Sequence, residues 1–151
     1  GLAASVTTIT AIAMTIIALL AGDSGVAWVM AAVAGGCLGF LLFNHYPAKV
    51  FMGDTGSLAL GGALGAAAVL THSELFLLVV GLIYVMEALS VIIQVFSFQV
   101  FHRRVFKMSP LHHHFELCNW TENKIVICFT GVTLIVSVVG ILAFLLRVSG
   151  G

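Results

Sequence analysis

The chain has 151 residues, of which 61% are hydrophobic and only 8% charged, with a mean hydropathy of +1.18. So few polar side chains cannot cover a soluble globule of this size, and the composition identifies an integral membrane protein. Six Lys plus Arg offset six Asp plus Glu, so no basic field points to a nucleic-acid polymer and only the placement of charge is informative.

Five apolar runs follow one another, at about 2–21, 26–43, 58–70, 75–101 and 125–147. Lipid leaves only helices or closed barrels, and these runs are continuous where barrel strands would alternate, so the expectation is a single all-α domain of five transmembrane helices. The first run begins almost at Gly1, with no Met, no basic leader and no cleavage motif, and is expected to be a span of a longer protein, not a signal peptide. Gly35 and Gly39 in the second run, and Gly61 and Gly65 in the third, have the spacing that lets helix backbones approach closely. The third run is short, roughly 20 Å at 1.5 Å per residue, and must borrow length from residues 53–57 or sit in a thinned bilayer. The fourth is longer than one crossing needs and is expected to tilt, bend or leave the membrane.

Basic residues orient the bundle. Lys49 lies in the polar loop 44–57, and Arg103, Arg104, Lys107 and Lys124 lie in or beside the loop 102–124, whereas residues 22–25 and 71–74 carry only Asp23 and Glu74. The positive-inside rule therefore places both basic loops on the cytoplasmic side. Cys37, Cys118 and Cys128 show no CxxC spacing and read as packing thiols.

The first basic loop, NHYPAKVFMGDTGSLALGG, sets Asp54 between two runs too hydrophobic for water. A carboxylate there is costly unless it meets a cation, a partner charge or a water-filled cavity. Gly53 and Gly56 allow a tight backbone, and Thr55 and Ser57 are expected to cap a helix that starts near Leu58. A helix N-terminus attracts anions and an adjacent Asp can hold a divalent cation that bridges to phosphate, so the spot suits a metal–phosphate group. Phe51 and Asn44 add an aromatic face and an amide of the kind that recognise a base or sugar.

The second basic loop contains His112, His113 and His114. Adjacent histidines serve as metal ligands, proton relays or phosphate clamps. Neighbours on a helix point about 100° apart, so all three cannot face one ion; one or two face a site while the third packs or bonds to Glu116 or backbone. Upstream, Glu87, Ser90, Gln94 and Ser97 form a polar stripe on one helical face, which lines a cavity or a helix interface and does not face lipid. Gln94 reads as site lining, and Glu87 equally as a structural or a site-lining group.

Together NHYPAKVFMGDTGSLALGG, the run VMEALSVIIQV and the loop PLHHHFE resemble the bacterial phospho-N-acetylmuramoyl-pentapeptide transferases over essentially the whole chain, with Gly1 to Ala4 similar to the tail of that family's NxxDGxDGLA segment. The resemblance implies the last five helices of a ten-helix polyprenyl-phosphate transferase bundle. It also implies an enzyme of the bacterial cytoplasmic (inner) membrane, acting at the cytoplasmic face in peptidoglycan synthesis. The reaction is the Mg2+-dependent transfer of phospho-N-acetylmuramoyl-pentapeptide from UDP to undecaprenyl phosphate, releasing UMP and forming lipid I. Asp54 is then the magnesium ligand and, with His112 and His113, the catalytic set. Phe51 stacks on uracil, Asn44, Gly53 and Ser57 line the nucleotide pocket, and Gln94, His112 and His113 contact the uridine side and phosphates. The family's adjacent aspartate pair and its NxxDGxDG aspartates lie upstream of Gly1, so these residues alone are expected to be inactive without the N-terminal half, and the family implies a homodimer.

Two other readings compete. A polyprenyl-phosphate N-acetylhexosamine-1-phosphate transferase would share the metal site and take a different UDP-sugar, but the uninterrupted PLHHHFE favours the muramoyl-pentapeptide substrate. A metal transporter would need acids and histidines facing one another at mid-membrane, and only Glu87 is deep in an apolar run. A purely structural subunit leaves the acid, histidines and glycine turn at one border unexplained.

Overall fold

The computed structural model describes residues 1–151 as seven helices without a strand: α1 (Leu2–Leu20), α2 (Ser24–Asn44), α3 (Gly53–Leu70), α4 (Glu74–Val80), α5 (Leu82–Phe101), α6 (Leu111–Glu116) and α7 (Glu122–Ser149). Helices α1, α2, α5 and α7 are long and apolar enough to cross a membrane. Helix α3 has 18 residues, roughly 27 Å at 1.5 Å per residue. It begins at Gly53, not near Leu58, so it takes in residues 53–57, but with them it is not among the four helices long and apolar enough to cross a membrane, against the five expected.

Helix α1 is the centre of the bundle, with Met14 and Ile17 fully buried against Met30 of α2, Leu64 and Ala67 of α3, Val80 of α4 and Phe144 of α7. A bilayer is as apolar as these side chains, so shape-matched packing and interhelical hydrogen bonds hold such helices together, not escape from water. The close approach comes from an unexpected glycine. A Cβ at Gly140 of α7 would lie 2.7 Å from Val80 Cγ2, whereas one at Gly35, Gly39, Gly61 or Gly65 would meet nothing within 4 Å. The small-residue pairs expected to bring backbones together therefore do not do so within this chain. Thr7 Oγ1 and Tyr84 OH, 2.6 Å apart, tie α1 to α5.

The single run expected over 75–101 is divided at Gly81, the residue between α4 and α5. Helix α4 stays in the bundle, with Phe76 edge-on to Phe144 at 5.0 Å between centroids. Helix α5 leaves it: only Ile83, Ser90 and Ser97 are buried, and Ile92, Phe96, Val100 and Phe101 are exposed. The run thus bends, and its second part is an arm with one apolar flank.

Gly1 lies beside the backbone of Asn44 and His45, so the start of α1, the end of α2 and the start of α3 share one end of the bundle. At the other end Arg147 donates from a guanidinium nitrogen to the His72 carbonyl at 2.9 Å and lies over the rings of Phe76 and Phe144. That contact clasps the end of α7 to the α3–α4 turn, with the cation suitably placed in the last turn of its helix.

Candidate functional site

Residues 44–57 fold back over the end of α2. Asn44 is buried, and its side-chain amide donates to the Val50 carbonyl at 2.8 Å, while the backbone N–H of Lys49 donates to the Phe43 carbonyl. Asn44 therefore shapes the loop from inside, and Phe51, 79% exposed, is the side chain that the loop presents. Gly53 opens α3 at φ +68°, a left-handed conformation that favours glycine. The residue before α3 is Met52, and no side chain caps the helix. Thr55 and Ser57 are not caps as expected; they lie in the first turn, where the Ser57 hydroxyl donates to the carbonyls of Gly53 and Asp54 at 3.1 and 3.0 Å. The first-turn N–H groups thus face outward without a side-chain acceptor, in the polarity that favours an anion. The Asp54 carboxylate stands among them, exposed and joined to no cation of this chain. No three His, Cys, Asp or Glu side chains gather as a metal cage. A lone carboxylate of hard oxygens nevertheless fits Mg2+, which commonly takes one or two carboxylates and completes its shell with water and phosphate.

The second loop returns antiparallel along the polar stripe of α5. Ser97 Oγ donates to the Arg103 carbonyl at 2.9 Å, and Gln94 holds residues 105–106 by three bonds, its Oε1 accepting from the N–H groups of Val105 and Phe106 and its Nε2 donating to the Phe106 carbonyl. Two turns further back Glu87 receives α6, its carboxylate accepting from the His112 backbone N–H at 3.2 Å and from His112 Nδ1 at 3.1 Å. The stripe is therefore a helix interface whose partner is the chain's own return segment. Glu87 is not an isolated deep acid. It is half-buried and paired, and sequence reasoning left its role open because the partner lies 25 residues away.

Helix α6 gives the three histidines three different surroundings, as helical geometry requires. His112 points to Glu87. His113 donates from Nδ1 to Glu116 Oε2 at 2.8 Å on the open side. His114 accepts from the Lys107 N–H at Nδ1, 3.1 Å, and its Nε2 lies 3.8 Å from Cys118 Sγ. Leu111 and Phe115 anchor the helix on a small core of Val6, Ile83, Ile125 and Phe129. The hydrogen bond that His112 donates to Glu87 raises the His112 pKa above its ordinary 6.5, against the opposing effect of burial. The contact thereby shifts the balance toward the imidazolium form.

The structure thus places Phe51 on the first loop, Gly53, Asp54 and Ser57 at the start of α3, Gln94 on α5, and His112 and His113 on α6. Gln94 serves its own loop and Asn44 its own. Between α1, α3, α4 and α5 runs an apolar cleft of about 490 Å3, lined by Thr7, Leu64, Leu78 and Tyr84, and by Met52 and Ser57 beside the Asp54 turn.

Comparison with known proteins matches residues 1–72 to glycosyl transferase family 4. That match includes Asp54 but stops before Glu87. Longer matches cover nearly all of the chain and so contain both loops. It is 62% identical over 142 residues to the phospho-N-acetylmuramoyl-pentapeptide-transferase of Desulforamulus reducens, covering 94% of this chain and 42% of that protein. Identity is 64% over 141 residues to the one of Pelotomaculum thermopropionicum, 93% of this chain and 43% of that protein. It is 55% over 148 residues to the one of Acetivibrio thermocellus, 97% and 45% respectively. The chain spans less than half the length of these relatives. With its helical bundle of membrane-crossing length, the chain belongs to the phospho-N-acetylmuramoyl-pentapeptide-transferase family, as a segment of it.

Proposed function

We propose that this segment forms the nucleotide-facing part of an enzyme that transfers phospho-N-acetylmuramoyl-pentapeptide from UDP to undecaprenyl phosphate, releasing UMP and forming lipid I at the cytoplasmic face of the bacterial inner membrane. What supports the reading is that one chain carries two polar elements, the Phe51–Ser57 turn and the α6 histidines, and that relatives of that name match it across both. Asp54 would hold Mg2+, with remaining ligands from phosphate, water and the rest of the enzyme, and the ion would neutralise charge on the pyrophosphate oxygens.

The chain's own groups have separable tasks. The exposed Phe51 ring offers a stacking face for uracil, and the uncapped first turn of α3 offers N–H donors to phosphate. His113, whose Nδ1 donates to Glu116, keeps Nε2 as an acceptor for a sugar hydroxyl. His112, whose protonated form the Glu87 carboxylate favours, would add positive charge where a dianionic leaving group departs. The apolar cleft beside Ser57 suits the first isoprene units of a lipid acceptor.

A protein of the relatives' full length that carries this segment is the material for the test. Offered undecaprenyl phosphate and Mg2+, it should release UMP from UDP-N-acetylmuramoyl-pentapeptide and not from UDP-N-acetylglucosamine, and Asp54→Asn should lose that release by at least about a hundredfold while keeping its helical content. Release from the second donor alone would transfer the chain to the N-acetylhexosamine-1-phosphate transferases. Full activity of Asp54→Asn would remove the metal-ligand assignment.

A further inference from the structure

The return segment carries three cations that nothing in the chain neutralises. Arg103, Arg104 and Lys107 are exposed, and the two ion pairs present join histidines to Glu87 and Glu116. Lys107 Nζ reaches only the Leu117 carbonyl, at 3.4 Å. Arg104 and Lys107 line one cleft of about 520 Å3 with Gln94 and Gln99, and its apolar wall includes Val95, Phe98 and Leu117. That wall is open: Phe98 is 53% and Leu117 52% exposed. The cleft sits at the tip of α5, whose outer flank of Ile92, Phe96, Val100 and Phe101 is also bare. Two cations and a bare apolar wall, side by side at the end of a lipid-facing helix, match a molecule that is itself half anionic and half aliphatic.

We propose that the cleft binds the headgroup of an anionic glycerophospholipid, with the phosphate between Arg104 and Lys107, the Gln99 amide beside the headgroup hydroxyls, and the first acyl carbons on Phe98 and Leu117. A soluble anion would satisfy the cations and leave the wall wet. A zwitterionic lipid would satisfy the wall and bring its own cation toward Arg104. Each Lys or Arg near an anionic membrane surface strengthens attachment about fivefold, so removing two is expected to weaken it on the order of twentyfold. The proposal does not rest on the transferase reading.

The test is lipid retention by the full chain in neutral detergent, read by native mass spectrometry. Dioleoylphosphatidylglycerol and dioleoylphosphatidylcholine are offered in equal amounts, with glycerol 3-phosphate and undecaprenyl phosphate as separate competitors. The expected result is preferential retention of phosphatidylglycerol, reduced on the order of twentyfold in Arg104→Gln/Lys107→Gln and unchanged in the charge-matched control Lys49→Gln/Lys124→Gln. Equal retention of the two lipids, or an equal loss in the control, would overturn the proposal. Displacement by glycerol 3-phosphate would also overturn it in favour of a free-anion site, and displacement by equimolar undecaprenyl phosphate in favour of the acceptor's own site. Should the double variant lose its helical spectrum, Arg104→Lys and Phe98→Ala decide the matter. The first should keep the lipid and the second should lose it.

Discussion

At the scale of single residues, the most informative contact is the one between Glu87 and His112, because it joins the stripe on α5 to the histidine helix with both carboxylate oxygens. Glu87→Gln keeps the shape and one acceptor but removes the charge, so it should cost about 1.5–3 kcal/mol of α6 docking, the usual worth of a charge-assisted hydrogen bond. Faster amide exchange in residues 111–116 would report that loss; unchanged exchange would mean that Leu111 and Phe115 hold α6 unaided. The sign of the pH dependence follows from the raised pKa of His112. Because the folded pKa lies above the unfolded value near 6.5, the contact's stabilisation is complete below that value and is lost as pH rises through the folded pKa. In 15N spectra the His112 ring should therefore titrate above 6.5, and in Glu87→Gln the midpoint should fall. None of this was legible in the sequence beyond the stripe itself. Periodicity placed Glu87, Ser90, Gln94 and Ser97 on one face, but nothing local states that the facing partner is a loop that returns 6 to 25 residues later.

At the scale of elements, hydropathy located α1, α2 and α7 within three residues at each end, because lipid exposure demands long unbroken apolar runs and turn residues such as Gly22 and Asp23 interrupt them. The length of the fourth run announced a bend, but its position at Gly81 was not legible, for the same reason. The residues on either side are apolar, no proline marks the break, and a helix boundary inside a hydrophobic run leaves no trace in composition. Helix α3 began five residues before the expected start because glycines and an aspartate read as loop, although a left-handed Gly53 simply starts the helix there. The glycine pairs show how packing overrides a motif. Gly140→Ala should destabilise the bundle by about 1–3 kcal/mol, since its Cβ would press on the buried, branched Val80. Gly35→Ala should leave stability unchanged or raise it by up to about 1 kcal/mol, because no atom of this chain is near and alanine favours the helix. Thermal unfolding of the two variants in one detergent compares them directly, and equal midpoints would contradict the packing account.

At the scale of the whole molecule, the candidate site residues lie at one end of the bundle. Helices α1, α3 and α7 deliver their N-termini there, α2 ends there in the turn that carries Phe51 and Asp54, and α5 sends its return loop back to seat α6 beside Ile125 and Phe129. The opposite end is closed by Arg147 and short turns. Charges and glycines stand out against apolar runs, so the sequence marked the candidate residues of each half of the proposed site. It could not reveal that Asn44 and Gln94 spend their amides on shaping the two loops. The central claim is that both loops serve one nucleotide, and the most direct measurement is UMP binding by calorimetry, in the presence of Mg2+, to a full-length protein carrying this segment. The variants are Phe51→Ala, His113→Ala and their combination. The account predicts that each single variant weakens UMP, Phe51→Ala by about 1–3 kcal/mol through lost base stacking, with both losses present in the double variant. Wild-type affinity in either single variant would contradict it, because one of the two loops would then have no part in the site.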